Sequence, residues 1–159
     1  MSDSDFTNSD REMSSTNPGV DHNHMVSNGK RTMSLDELGG LQPGMARLMV
    51  EISGRMSKCW WAGKYKNTQL AKFQLAEAVK LLKMSSFVRP KYETDMLDFL
   101  DKFINPVRTA LQGENWEDFY RSFDLLVVEA NRYHDQYGKG FLVWKIPDNP
   151  PSDLDFTPR

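Results

Sequence analysis

From Met45 to Tyr137 apolar residues return every three or four positions, in four successive runs separated by short polar breaks. That period belongs to amphipathic helices. The first run, Met45, Leu48, Met49, Ile52, Met56, Cys59 and Trp60, follows Pro43, a residue suited to a first helical turn, and predicts a helix over 43–65. Asn67 caps the second, whose Leu70, Phe73, Leu75, Ala78, Val79 and Leu82 form a wide apolar face ending near Ser85 and Ser86. Arg89-Pro90 opens the third, which carries Met96, Phe99, Leu100, Phe103, Ile104, Val107 and Leu111. Pro106 lacks a backbone donor, so this helix is predicted to bend, or to split at Asn105. Asn115 caps the fourth, with Glu117 and Asp118 in its first turn, and Gly138 and Gly140 end it.

Four such helices joined by short loops pack most simply as an all-α, antiparallel up-down-up-down four-helix bundle. The expected organisation is a flexible polar tail over 1–33, the bundle over 34–140 and an extended Pro-rich segment over 141–159. The tail is dominated by Ser, Asp, Asn, Thr and Gly, which bury too little surface to offset ordering entropy. Ser34 and Glu37 have capping-box spacing, and Gly39 and Gly40 stop that turn early. Strand candidates are nearly absent, and no internal repeat is apparent. The exception is Phe141 to Pro147, "FLVWKIP", which alternates and then meets "DNPP". An extended segment laid on the bundle and anchored by Trp144 follows, not a sheet.

Composition narrows the function classes. The chain is 39% hydrophobic, a globular value, and its net charge of −2 comes from 20 basic and 22 acidic residues interleaved along its length. No basic face points to nucleic acid. No apolar run has the length of a membrane span and no secretory pattern opens the sequence, so a cytoplasmic protein without a membrane partner is expected. Cys59 is the single cysteine, so it forms no internal disulfide and no four-ligand zinc site.

His134 is the one histidine outside the N-terminal segment. It falls on or beside the inward stripe of the last helix, where an imidazole can coordinate iron, with Met49 or Met56 as soft partners across the core. The alternative is a helix-end histidine favoured by the dipole. A ferritin-like di-metal centre needs Glu-x-x-His pairs, and Glu129 stands five residues before His134, the wrong spacing. His22 and His24 read as incidental residues of the tail. Cys59 has no base or motif around it and reads as a buried, inert thiol. Gly39, Gly40 and Gly44 follow no strand and do not make a phosphate loop. "CWWAGKYKN" groups Trp60, Trp61 and Tyr65 with Lys58, Lys64 and Lys66, but without a basic groove it reads as core packing for Trp60 and a loop contact for Trp61.

The last helix ends in "ANRYH", Ala130 to His134, followed by Gly140-Phe141 and "WKIPDNPP"; the first corner reads "WWAGKYKNTQLAKFQL". From about Leu41 to Pro151 these features resemble small bacterial four-helix proteins related to c-prime-type cytochromes. Many of those carry "CNACH" in the last helix. Ala130 and Tyr133 stand where the haem-linking cysteines would be, Asn131 matches, and His134 takes the place of the axial histidine. The resemblance implies a helical bundle without covalent haem, with His134, Tyr133, Ala130, Met49 and Met56 as the cofactor-binding candidates if haem is held non-covalently. The expected function is that of a non-enzymatic binding or interaction protein. Homodimers through helix faces are expected, with Met45, Met49, Trp61 and Phe73 as surplus apolar surface. The alternative is a non-covalent haem protein for redox or gas sensing, and a small hydrophobic ligand or protein partner fits either reading. No acid, base and nucleophile constellation supports an enzyme.

Overall fold

A computed structural model describes Asp21 and residues 24–159, and the chain is mostly helical there. Residues 1–20, 22 and 23 of the expected tail lie outside the described residues. By contact the chain divides into Met1–Gln42 and Pro43–Arg159.

In the first unit, β1 (Met25–Ser27) and β2 (Thr32–Ser34) pair antiparallel, with Val26 opposite Met33. This hairpin occupies part of the segment expected to be a structureless tail. Its cause is the Asn28-Gly29 pair. Gly29 takes φ +84°, a left-handed conformation that glycine adopts without strain, and the Asn28 side chain accepts from the N–H groups of Lys30 and Arg31 at 3.0 and 2.9 Å. Ser34 then caps α1 (Leu35–Gly40) through a reciprocal box: its hydroxyl accepts from Glu37 N–H at 3.1 Å, and its own N–H donates to Glu37 at 2.8 Å.

In the second unit, α2 (Met45–Lys64) starts two residues later than the sequence suggests, because Gly44 is its cap and Pro43 stays outside. α3 (Thr68–Val88) runs past Ser85 and Ser86. Those two hydroxyls bond back to the carbonyls of Leu82 and Lys83 at 2.7 and 2.8 Å, so both are satisfied inside the helix and neither ends it. A 3-10 turn at Pro90–Tyr92 leads into α4 (Glu93–Phe99), a π-helical turn (Leu100–Ile104) and α5 (Asn105–Gln112). The π turn is how the chain accommodates Pro106. The proline ring crowds the carbonyl four residues back, and the ladder widens by one residue, so that Asn105 N–H bonds Leu100 O. α6 (Trp116–Gln136) completes the helices.

α2 lies along α3, and α6 packs on α5 and more sparingly on α2. The core runs through all of them, from Leu48, Ile52 and Met56 to Leu82, Ile104, Val107, Phe119, Phe123 and Leu126. A Cβ at Gly63 would overlap the Phe119 ring, so this glycine lets the end of α2 meet the start of α6. Trp60, Phe119 and Phe123 fill that joint, with ring centroids 5.3–6.1 Å apart.

One loop geometry occurs twice. Lys66 (φ 60°) and Glu114 (φ 51°) are the left-handed residues ending α2 and α5, and each is followed by an asparagine that caps the next helix. Asn67 N–H reaches Ala62 O at 2.8 Å, and Asn115 N–H reaches Ala110 O at 2.9 Å. The two turns are neighbours, since Lys66 Nζ sits 4.4 Å from the Trp116 ring centre. No helix among the described residues is long and apolar enough to cross a membrane.

Candidate functional site

After α6 the chain reverses and runs back as an extended strap, Phe141–Arg159, without regular secondary structure. Alternation orients it: Trp144 and Ile146 are half-buried against the core, whereas Val143 and Lys145 face out. Side chains from three helices hold its backbone. Asn131 of α6 donates to Trp144 O at 2.9 Å and accepts from Trp144 N–H at 2.7 Å. Trp61 of α2 donates to Pro147 O at 3.2 Å, and Lys58 pairs with Asp153 at 2.5 Å. Asn67, already the cap of α3, uses its amide nitrogen on Phe156 O and Thr157 O at 3.3 and 3.2 Å. Phe156 is buried at 4% exposure, beside Tyr65. The strap therefore crosses from the end of α6 over α2 to the start of α3.

His134 belongs to this arrangement. It is half-buried, and its Nδ1 lies 2.7 Å from Leu142 O. A carbonyl only accepts, so Nδ1 carries the proton and Nε2 keeps its lone pair when the ring is neutral. Tyr133 meets Phe99 edge-on at 5.9 Å, with the Arg132 guanidinium 4.5 Å from the tyrosine ring centre. Ala130 is half-buried on the same helix. Met56 is a core residue at 3% exposure, and Met49 packs at the core's margin. The five candidates are thus divided between the strap seat, the α4–α6 contact and the core, and the polar partner of His134 is the strap.

Sequence reasoning gave Asn131 no role of its own and took Trp61 as a loop contact. Both are strap clamps. The available signal was the alternation of 141–147 set against a lone asparagine four residues after Val127, on the flank of an otherwise apolar face. Cys59 is fully buried, and desolvation pushes its thiol well above the ordinary range. His24 sits at the start of the hairpin, where its carbonyl accepts from Leu35 N–H, and His22 lies outside the described residues. Among the described residues no group of three or more His, Cys, Asp or Glu is placed to hold a metal ion.

Several carboxylates and one phenol carry shifted proton affinities. Lys58, by its hydrogen bond and charge, holds Asp153 below its usual value. Asp155 is brought down to about 2, chiefly by Thr157 N–H, then by the Thr157 hydroxyl and Arg159. At the far end of α6, the Tyr137 hydroxyl donates to Asp95 at 2.6 Å, and that bond raises it to about 12. Two shallow surface grooves also exist. One of about 340 Å³ includes Asn67, Leu70, Phe73 and Asp155, and one of about 310 Å³ lies between α3 and α5 beside Lys72 and Arg108. Compared with known proteins, the chain matches no family model, no curated protein and no solved structure.

Proposed function

We propose that this chain is a non-enzymatic interaction protein, an antiparallel up-down-up-down four-helix bundle that docks through a helix face, first of all onto a second copy of itself. One observation carries the reading. Phe73, Met84 and Phe87 are exposed by 53, 46 and 80%, and their spacing puts them on one outward stripe of α3. At the helical rise the three span about 21 Å, with the Glu77–Lys80 ion pair between Phe73 and Met84 on the same face. Large side chains aligned in this way on a solvated helix suit a helix-to-helix contact. Of the surface expected from the sequence, Phe73 remains available, whereas Trp61 is engaged by the strap. Light scattering of the full chain is expected to give a dimer that Phe87→Glu converts to monomer. A wild-type chain that stays monomeric at high concentration rejects the self-association.

A second reading is favoured by one contact. An imidazole that gives its Nδ1–H to a backbone carbonyl, as His134 does to Leu142, has the ring orientation of a metal-ligating histidine. Non-covalent haem on Nε2 is the ligand this suggests, in line with the cytochrome-like features of the sequence. Haem added to the protein is then expected to give a Soret band that His134→Ala abolishes, and an unchanged band in the variant rejects it.

A further inference from the structure

α3 and α5 form the basic side of a chain that is acidic as a whole. Together they carry Lys72, Lys80, Lys83 and Arg108 against Glu77 alone, an excess of three positive charges where the full chain has a net charge of −2. Elsewhere the helices pair their cations, Lys58 with Asp153, Lys102 with Asp98, Arg121 with Asp118 and Arg132 with Glu129. On this side Glu77 takes Lys80 at 2.6 Å, and among the described residues Lys72, Lys83 and Arg108 form no ion pair. Arg108 gives one N–H to Asn105 at 2.8 Å, which leaves the rest of its guanidinium fork for an acceptor from outside.

These cations border an apolar depression. The groove of about 310 Å³ has Ala76 and Val79 of α3 and Leu111 of α5 for its floor, with Lys72 on the α3 side and Arg108 on the α5 side. Val79 and Leu111 are buried, and the small Ala76 side chain leaves the space above them open. Lys83 stands eleven residues after Lys72 on the same face of α3, so the α3 rim bears two cations about 16 Å apart. A channel between two packed helices is the shape that a third helix fills. Cations along its rims require that helix to border its apolar stripe with carboxylates. A flat bilayer surface fits less well, because the recessed Val79 and Leu111 meet only a side chain inserted between the helices.

We propose that the α3–α5 groove docks an acidic amphipathic helix of a partner protein, with its apolar stripe on Ala76, Val79 and Leu111 and its carboxylates on Lys72, Lys83 and Arg108. The inference rests on the reading of this chain as an interaction protein and names the chemistry of a further partner. It uses the α5 flank of α3 and not the line of Phe73, Met84 and Phe87.

The test is a titration of the full chain, followed by fluorescence anisotropy, with a labelled helical peptide that has leucine at every third and fourth position and glutamate along both borders of that stripe. A peptide with the same leucines and lysine borders is the comparison. Docking predicts that the glutamate peptide binds at least tenfold tighter than the lysine peptide, and that Lys72→Glu with Arg108→Glu weakens it about tenfold. Ala76→Trp, which fills the floor and changes no charge, is expected to remove binding, and Lys145→Glu, a charge change outside the groove, to leave it unaltered. Circular dichroism of each variant reports that the helices are intact. Equal affinity for the two peptides, no binding of either, or binding that survives Ala76→Trp overturns the docking. So does sedimentation with phosphatidylserine vesicles, lost in the double charge variant, when the glutamate peptide fails to bind, since the cations would then serve an anionic membrane surface. Light scattering of the wild type reads self-association separately, so a monomer that binds the glutamate peptide rejects the dimer and keeps the groove, and a dimer that ignores it does the reverse.

Discussion

The hairpin Met25–Ser34 and the strap Phe141–Arg159 are opposite solutions to the problem of ordering a short segment outside the long helices. The hairpin has regular pairing, a tight turn and a capping box, yet none of its residues is buried. The strap has no ladder at all, yet it buries Phe156 and half-buries Trp144 and Ile146. Regular hydrogen bonding is therefore neither sufficient nor necessary for a seat in the core. The hairpin rests on local geometry, which two strands alone make marginal in water. The strap rests on apolar burial and on side chains that satisfy its backbone from outside.

That contrast predicts where the molecule breaks. Phe156→Ala empties a core seat and is expected to cost about 3 kcal/mol in urea denaturation followed by tryptophan fluorescence. A loss well under 1 kcal/mol would mean the strap end does not contribute to the core. Asn131→Ala leaves the N–H and C=O of Trp144 without partners and is expected to cost about 2 kcal/mol, with loss of hydrogen-exchange protection at Trp144 as its local signature.

Acid should loosen the strap next. Asp153 and Asp155 have folded values below the ordinary 3.8, the latter about 2. Groups depressed in this way stabilise the fold above their unfolded value and lose that contribution as pH falls through the folded one. Strap amides are therefore expected to lose protection between pH 3.8 and about 2, and Asp153→Asn should blunt the transition. A strap equally protected at pH 2 would contradict the assignment. The smallest effect belongs to the hairpin. Gly29→Ala forces a side chain into φ +84° and should cost about 1 kcal/mol of pairing, seen as lost strand chemical shifts at Val26 and Met33.

Much of the helical layout was legible in the sequence, and the reasons are local. Asn67, Asn115 and Ser34 cap where their spacing says they should, and the periodic apolar residues of α2 and α6 are the ones the core uses. Boundaries failed where a local rule met a competing one. Ser85 and Ser86 look like a stop but bond back into their own helix, which runs on to Val88, whereas the interruption expected at Pro106 is present, as a π turn that ends at Ile104 and gives way to α5 at Asn105. The Asn28-Gly29 hairpin signal was present in the sequence, but the reading of 1–33 as a flexible tail rested on polar composition alone and did not use it. The candidate site was the least legible part, because a clamp such as Asn131 acts on backbone atoms thirteen residues away, and a backbone carbonyl has no sequence signature.

The sequence alone determined what depends on neighbours along the chain: the helical periods, their asparagine caps, and the in-out alternation that faces Trp144 and Ile146 toward the core. Only the tertiary structure decided what depends on distance through space. It turned His134 toward the strap, gave Trp61 the carbonyl of Pro147, and set two identical turns side by side at Lys66 and Glu114. It did so because burial and hydrogen-bond satisfaction are settled among all surfaces at once, whereas a periodic pattern specifies only that a face is apolar and leaves open what will cover it.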